Sequence, residues 1–319
     1  MKYSIVVPFF NEQESIHEFY RTLSAAMQKI SDDCEFVFVD DGSKDSSFDI
    51  LQEIAEHDER VVIVRLRRNY GKTEALVAGF EHVSGEYVIA MDGDLQHNPE
   101  EIALFVQKFN EGFDVVCGCR VKRPGDNVLL KRIPSRIANW MMRKLTRVEI
   151  HDFGGGYKGY RTQLIRKIPL YGELQRFIPA LAVAYGATIC EVPIHIAERR
   201  HGKSHYGIGR AIPVFFDLIT IPFLLRYVSR PMYFFGSFGM VALAAGSAIG
   251  LTLSALSLLF GVHVMQNHGP LMFFGAVLIL GGLQLVGLGL LGEMQVRHFH
   301  QRADAFRESA VLRVVKRRE

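Results

Sequence analysis

The chain has 319 residues, with 37 Lys and Arg against 34 Asp and Glu, a formal charge of +3. So small an excess gives no electrostatic ground for nucleic-acid binding. Hydrophobic residues make up 49%, which excludes a disordered chain, and four cysteines in this length exclude a disulfide scaffold. Cys117 and Cys119 stand too close for a zinc-finger pair, and no second pair follows. Free thiols fit a reducing cytosol.

The first 120 residues alternate strand and helix signals. Residues 3–7 predict a strand, rich in β-branched side chains and ending at Pro8. Residues 12–30 predict a helix, with Ile16, Phe19, Tyr20, Leu23 and Met27 at helical spacing. A second strand at 35–39 closes on Asp40-Asp41-Gly42-Ser43. Asp45 or Ser46 can cap the helix that runs to about 57. A strand at 61–66, a helix at 72–83 and a strand at 86–91 follow, the last running into Asp92-Gly93-Asp94. Pro99 opens a helix reaching about 110, and 114–118 predicts a fifth strand. This rhythm implies a Rossmann-like, mostly parallel sheet with helices on both faces, which binds ligands beyond the carboxyl ends of its strands. Further on, residues 127–147 predict a basic amphipathic helix, Gly154-Gly155-Gly156 a turn, 173–185 a helix and 188–196 a strand.

From Met232 to Gly292 there is no Asp, Glu, Lys or Arg. Broken at His263, this length supplies two stretches, each longer than the roughly 20 apolar residues that cross a bilayer core. Residues 212–227 are apolar but carry Pro213, Asp217 and Pro222, which predicts a helix lying in the interface rather than a third span. The loop around 262–270 has no Lys or Arg, whereas the tail carries Arg297, Arg302, Arg307, Arg313, Lys316, Arg317 and Arg318. The positive-inside rule puts the tail, and after two crossings the N-terminal part, in the cytoplasm of an inner-membrane protein. Lys2 precedes an apolar run of only residues 5–10, which is not a signal peptide. The expected organisation is a soluble domain at 1–206, an amphipathic juxtamembrane helix region at 207–231, two spans at 232–293 and a basic tail at 294–319.

Two carboxylates at i and i+2 where a strand ends, Asp92 and Asp94, can face one hard cation, Mg²⁺ or Mn²⁺, with Gln96 adding an oxygen. The bland alternative is a solvated acidic turn; the placement after an apolar strand favours the metal. Asp41 can accept from a base or ribose while Asp45 caps a helix, although an Asx-turn alone would explain both. No G-x-G-x-x-G follows the first strand and no P-loop occurs, which disfavours dinucleotide and NTPase sites. Arg199-Arg200-His201-Gly202-Lys203-Ser204-His205 suits phosphates or, equally, marks topology. Arg120, Lys131, Arg132 and Arg136 carry the same two readings. Asp152 is either a base or a buried structural carboxylate.

Taken together, Val6-Val7-Pro8-Phe9-Phe10-Asn11-Glu12, Asp40-Asp41-Gly42-Ser43-Lys44-Asp45, Asn69-Tyr70-Gly71-Lys72 and Asp92-Gly93-Asp94-Leu95-Gln96 stand in the order typical of one family. The chain resembles the inverting GT-A glycosyltransferases of the dolichol-phosphate mannose synthase and bacterial polyisoprenyl-phosphate glycosyltransferase type, over about residues 3–206. That resemblance implies that Pro8, Asn11, Glu12, Asp40 and Asp41 hold the nucleoside and that Lys72 lies near the donor. Asp92, Asp94 and Gln96 would hold metal and diphosphate. Asp152 matches a position proposed as a base, Arg200, Lys203 and Ser204 a loop closing on phosphates, and Arg120, Arg132, Ser135 and Ser204 the acceptor-phosphate side. Members with such an anchor can be tetrameric.

The implied reaction moves a sugar from a nucleotide sugar to polyprenyl (undecaprenyl) phosphate, with a UDP-sugar favoured as donor and GDP-mannose its rival. A processive polysaccharide synthase would need a Gln-x-x-Arg-Trp motif, which Gln175-Arg176-Phe177 does not match; the only Trp is Trp140. A non-catalytic scaffold is disfavoured by the intact Asp92/Asp94 pair. A nucleotidyltransferase would release pyrophosphate instead of a nucleoside diphosphate.

Overall fold

A computed structural model describes residues 1–121, 143, 150–170, 172, 174–197, 231–261 and 263–315, with side chains omitted from 296 to 311. The predicted basic helix at 127–147, the loop 199–205 and the interfacial stretch 212–227 lie essentially outside the described residues. The chain divides into two compact units, 1–214 with 306–319, and 215–305.

In the first unit the elements run β1 (Tyr3–Phe9), α1 (Ile16–Ile30), β2 (Cys34–Asp40), α2 (Ser47–His57), β3 (Val61–Leu66), α3 (Lys72–His82), β4 (Tyr87–Ala90), α4 (Ile102–Asn110) and β5 (Val115–Arg120). After the undescribed stretch come β6 (Lys158–Arg161), α5 (Thr162–Ile165), α6 (Ile178–Ala184) and β7 (Ile189–Ile194), and near the C-terminus β8 (Val311–Val315). The sheet order is β7-β5-β6-β4-β1-β2-β3-β8. β6 is antiparallel to β4 and β5, β8 is antiparallel to β3, and the remaining pairs are parallel. Helices cover the central strands on both sides, so Ile5, Val6 and Val7 are all buried, the continuous apolar run expected of an inner parallel strand. Ile16, Phe19, Leu23, Ala26 and Met27 bury one stripe of α1 against that sheet.

Three local expectations shift. Helix α1 starts at Ile16 rather than 12, because Asn11 takes a left-handed φ of 54° and the chain first turns through a Ser15 N–H bond to the Glu12 carbonyl at 2.9 Å. The predicted helix at 173–185 is a 3-10 turn, Leu174–Arg176, followed by α6. Pro179 fixes its own φ and has no N–H to give, so it suits the first turn of a helix and not its interior. Neither β6 nor β8 was expected from the sequence.

The second unit holds α7 (Pro231–Phe260) and most of α8 (Val264–Ala310). Both contain segments long and apolar enough to cross a membrane, Pro231–Phe260 and Val264–Gln295. They pack through glycines: a Cβ on Gly239 would lie 2.8 Å from the Gly282 carbonyl oxygen, and one on Gly246 2.7 Å from that of Gly275. Such close backbone approach is the usual device of helices paired in lipid. Helix α8 departs from helical geometry at His268, two residues before Pro270.

Candidate active site

The loops that follow β1, β2, β3 and β4 meet at the carboxyl ends of the parallel strands, where open α/β sheets bind ligands. They are stitched to one another. Asn11 donates its N–H to Ser43 Oγ at 3.0 Å and its Oδ1 accepts from the Lys44 N–H at 2.9 Å. The Glu12 N–H reaches Ser47 Oγ at 2.9 Å, and Ser15 Oγ donates to the Gly93 carbonyl at 3.3 Å. Two non-glycine residues in the left-handed region, Asn11 and Leu95 (φ 60°), sit in the first and last of these loops. Asparagine tolerates that geometry, whereas for leucine it is uncommon and tends to mark functional sites.

The two aspartates after β2 divide the work. Asp40 is wholly buried; its Oδ1 accepts from the Ser43 N–H at 3.0 Å and its Oδ2 lies 3.3 Å from Arg65 Nε. That geometry ties Asp40 to the turn and to β3. Asp41 accepts from the Tyr70 and Gly71 N–H groups at 2.8 and 3.0 Å. Burial pushes its carboxyl up to about 6, against those two backbone donors. Asp45 accepts from the Ser47 N–H at 3.0 Å, an Asx-type turn leading into α2, whose N-cap position is Ser46 and carries no side-chain capping bond. Gly42 has φ 68°, and a Cβ there would fall 2.3 Å from the backbone of Arg68.

At the end of β4, Asp92 forms an ion pair with Lys72, the first residue of α3. The Asp94 carboxylate accepts from the Gln96 N–H at 3.2 Å, and Gln96 Nε2 points to the Ala197 carbonyl at 3.4 Å. Gly93 lies over the Phe9 ring, so close that a Cβ would sit 2.3 Å from it. His97 is buried behind the pair, its ring 5.1 Å from that of Tyr157, with Nδ1 lacking a hydrogen-bond partner. Burial lowers its pKa, against the pull of Asp92 and Asp94.

A second ion pair faces this one. Arg120, at the end of β5, holds Asp152 through Nε at 2.5 Å and Nη2 at 2.8 Å. The glycine run passes between the two pairs. A Cβ on Gly154 would lie 3.4 Å from Arg120 Nη2; one on Gly156 would lie 2.7 Å from Asp92 Oδ2 and 2.9 Å from Lys72 Nζ. Below the run, the buried Lys158 ammonium donates to the Phe153 carbonyl at 2.8 Å, and burial brings its pKa down to about 8. Sequence reasoning missed Phe10, Gly156 and Lys158. Phe10 was detectable as a large apolar side chain just past a buried strand; it is 40% exposed. Of the residues singled out from the sequence, Pro8, Asn11, Glu12, Asp40, Asp41, Lys72, Asp92, Asp94, Gln96, Arg120 and Asp152 fall within these loops and strand ends. Arg132, Ser135, Arg200, Lys203 and Ser204 lie outside the described residues.

A mostly parallel mixed sheet with acidic groups at its carboxyl edge, cations from the start of α3 and the end of β5, and no dinucleotide fingerprint fits the GT-A class of glycosyltransferases. Residues 4–169 match glycosyl transferase family 2, and the chain belongs to that family. It is 35% identical to the dodecaprenyl-phosphate galacturonate synthase of Rhizobium johnstonii over 94% of this chain and 89% of that one. It is 37% identical to the undecaprenyl-phosphate 4-deoxy-4-formamido-L-arabinose transferase of Pseudomonas aeruginosa, over 91% of this chain and 84% of that one. Among solved structures, glucosyl-3-phosphoglycerate synthase of Mycobacterium tuberculosis, crystallised with Mn²⁺, UDP and phosphoglyceric acid, shares the fold. Its TM-score is 0.53 at 20% identity, covering 70% of this chain and 78% of that one.

Proposed function

We propose that the protein transfers a sugar, with inversion at C1, from a UDP-sugar to polyprenyl phosphate at the cytoplasmic face of the inner membrane. The observation that carries this reading is the pair of opposed ion pairs, Lys72–Asp92 and Arg120–Asp152, separated only by glycines. They supply a carboxylate edge for a cation and two cations for phosphates on either side of the glycine run. The two relatives' names, both of polyprenyl-phosphate enzymes, and the two apolar helices support the acceptor and its location.

The donor set fits a divalent metal. Asp92 already draws a cation, the Lys72 ammonium, and Asp94 and Gln96 add hard oxygens. Among the described residues no group of three or more His, Cys, Asp or Glu could hold an ion unaided. Two carboxylates leave coordination positions for diphosphate and water, the habit of Mg²⁺ and shared by Mn²⁺. When bound there, the ion would neutralise the diphosphate and ease its departure.

This chain's residues do the rest. Asp41 and the loops after β1 and β3 hold the nucleoside, and Lys72 reaches the diphosphate. An acceptor phosphate oxygen attacks C1 as the C1–O bond to the diphosphate breaks. The nucleophile is already anionic near neutral pH, so no base need take a proton. Asp152 instead fixes the plane of the Arg120 guanidinium, which orients the acceptor phosphate. Arg132, Ser135, Arg200, Lys203 and Ser204, outside the described residues, keep the phosphate-binding roles that the resemblance implies.

Purified protein with undecaprenyl phosphate, Mg²⁺ or Mn²⁺ and a panel of labelled UDP- and GDP-sugars tests the scheme. One UDP-sugar should give a lipid-linked product and free UDP. Asp94→Ala should lower transfer by at least about a hundredfold while membrane insertion persists. Unchanged transfer by that variant would remove the metal assignment, and release of pyrophosphate would replace glycosyl transfer with nucleotidyl transfer.

A further inference from the structure

Strand β8 follows α8 in the chain, yet it closes the edge of the catalytic sheet. Its register on β3 pairs Ile63 with Val315, Val64 with Val314 and Arg65 with Arg313, then skips, pairing Leu66 with Val311. Leu312 is the residue left over. A bulge of this kind re-aims a side chain and is common beside active sites. Leu312 borders a cavity of about 460 Å³, whose other walls include Phe10, Gly42, Ser43, Arg68 and Asn69. A larger depression, about 550 Å³, lies along α1 and α4 and touches none of the motif residues.

The cavity's chemistry is specific. Phe10 and Leu312 are both large, apolar and substantially exposed, at 40% and 51%. Around them stand Lys44, Arg65, Arg67 and Arg68. Apolar faces set among cations suit a flat ring joined to an anionic group. The floor is the Gly42–Ser43 turn next to Asp41, whose carboxylate is built into the same loops. We propose that Leu312 forms the outer wall of the nucleoside subsite and limits the size of the base accepted. This rests on the reading that the donor's nucleoside lies at the carboxyl ends of β1 to β3. The tail is then part of the donor site, not only a topology signal.

Titration calorimetry of the full-length protein in detergent, with UDP and GDP as probes in the presence of Mn²⁺, separates the possibilities without using transfer. Leu312→Asp should weaken the preferred nucleotide about tenfold, the equivalent of one lost apolar contact, with an unchanged thermal midpoint. Leu312→Ala should narrow the preference between UDP and GDP by about threefold or more. Arg313→Ala, altered in the same strand but away from the cavity, should bind as wild type does. Equal affinities for wild type and Leu312→Asp would overturn the proposal. So would equal losses in Leu312→Asp and Arg313→Ala, which would make β8 a structural strap. Wild-type protein that binds neither nucleotide overturns the donor reading itself, and this inference with it.

Discussion

Asp41 shows how burial and backbone donors compete over the charge of one side chain. It is 4% exposed, and Asp40 and Glu74 both oppose its ionisation, while the Tyr70 and Gly71 N–H groups favour it. Burial wins, and the carboxyl rises from its ordinary 3.8 to about 6. A carboxyl raised in the folded chain takes up its proton more readily there than in the unfolded chain. Its contribution therefore favours folding below about pH 4 and is lost as pH climbs through about 6, an effect on the order of 3 kcal/mol. Asp41→Asn does not titrate, so its stability relative to wild type should rise between pH 4.5 and 7. Thermal midpoints of both proteins at the two pH values give the answer; a constant difference would exclude a raised Asp41. The sequence marks the Asp-Asp-Gly-Ser turn plainly because aspartate and glycine there follow a wholly apolar strand. It does not separate Asp40 from Asp41, since their difference depends on Arg65 and on the 70–71 backbone, 25 to 30 residues away.

At the scale of elements, two glycines illustrate different constraints. A Cβ on Gly42 would meet backbone atoms of Arg68 at 2.3 and 2.5 Å, at a φ of 68°. Backbone cannot step aside, so Gly42→Ala should cost about 1–3 kcal/mol in stability. A Cβ on Gly156 would instead meet the paired side-chain tips of Asp92 and Lys72. Those ends can move, and moving them dismantles the ion pair. Gly156→Ala should keep its thermal midpoint within a few degrees yet lose about ten- to a hundredfold in transfer rate, the penalty expected of misplaced catalytic groups. A midpoint that falls as far as that of Gly42→Ala would assign Gly156 to the fold alone. The approach of Gly156 to Asp92 was not legible in the sequence. It depends on β6, a four-residue strand slotted antiparallel between β4 and β5. Lys158-Gly159-Tyr160-Arg161 carries no strand signal, because its buried lysine is satisfied by carbonyls outside the strand, at Phe153 and in the 174–176 turn. The central strands were legible for the opposite reason, being apolar on both faces.

At the scale of the whole molecule, β8 constrains topology. The chain leaves the catalytic unit, passes through two helices apolar enough to span a membrane, and returns a strand to β3 of the same sheet. A strand cannot pair with that sheet from across a bilayer, so an even number of crossings is required. The Lys and Arg of the tail against none in the connection at 261–263 predict the direction we propose, with the catalytic unit on the cytoplasmic side. A cysteine placed at His263, exposed between α7 and α8, should therefore react with a membrane-impermeant maleimide in intact cells. The native Cys34, Cys117, Cys119 and Cys190 all lie in the catalytic unit and provide the internal control. They should stay unlabelled until the membrane is opened. Half-exposed Cys119 and Cys190 should react then, and buried Cys117, whose thiol burial pushes up to about 12, only after denaturation. Labelling of Cys190 in intact cells, with position 263 silent, would reverse the orientation and put the donor site on the side of the membrane where nucleotide sugars are not made.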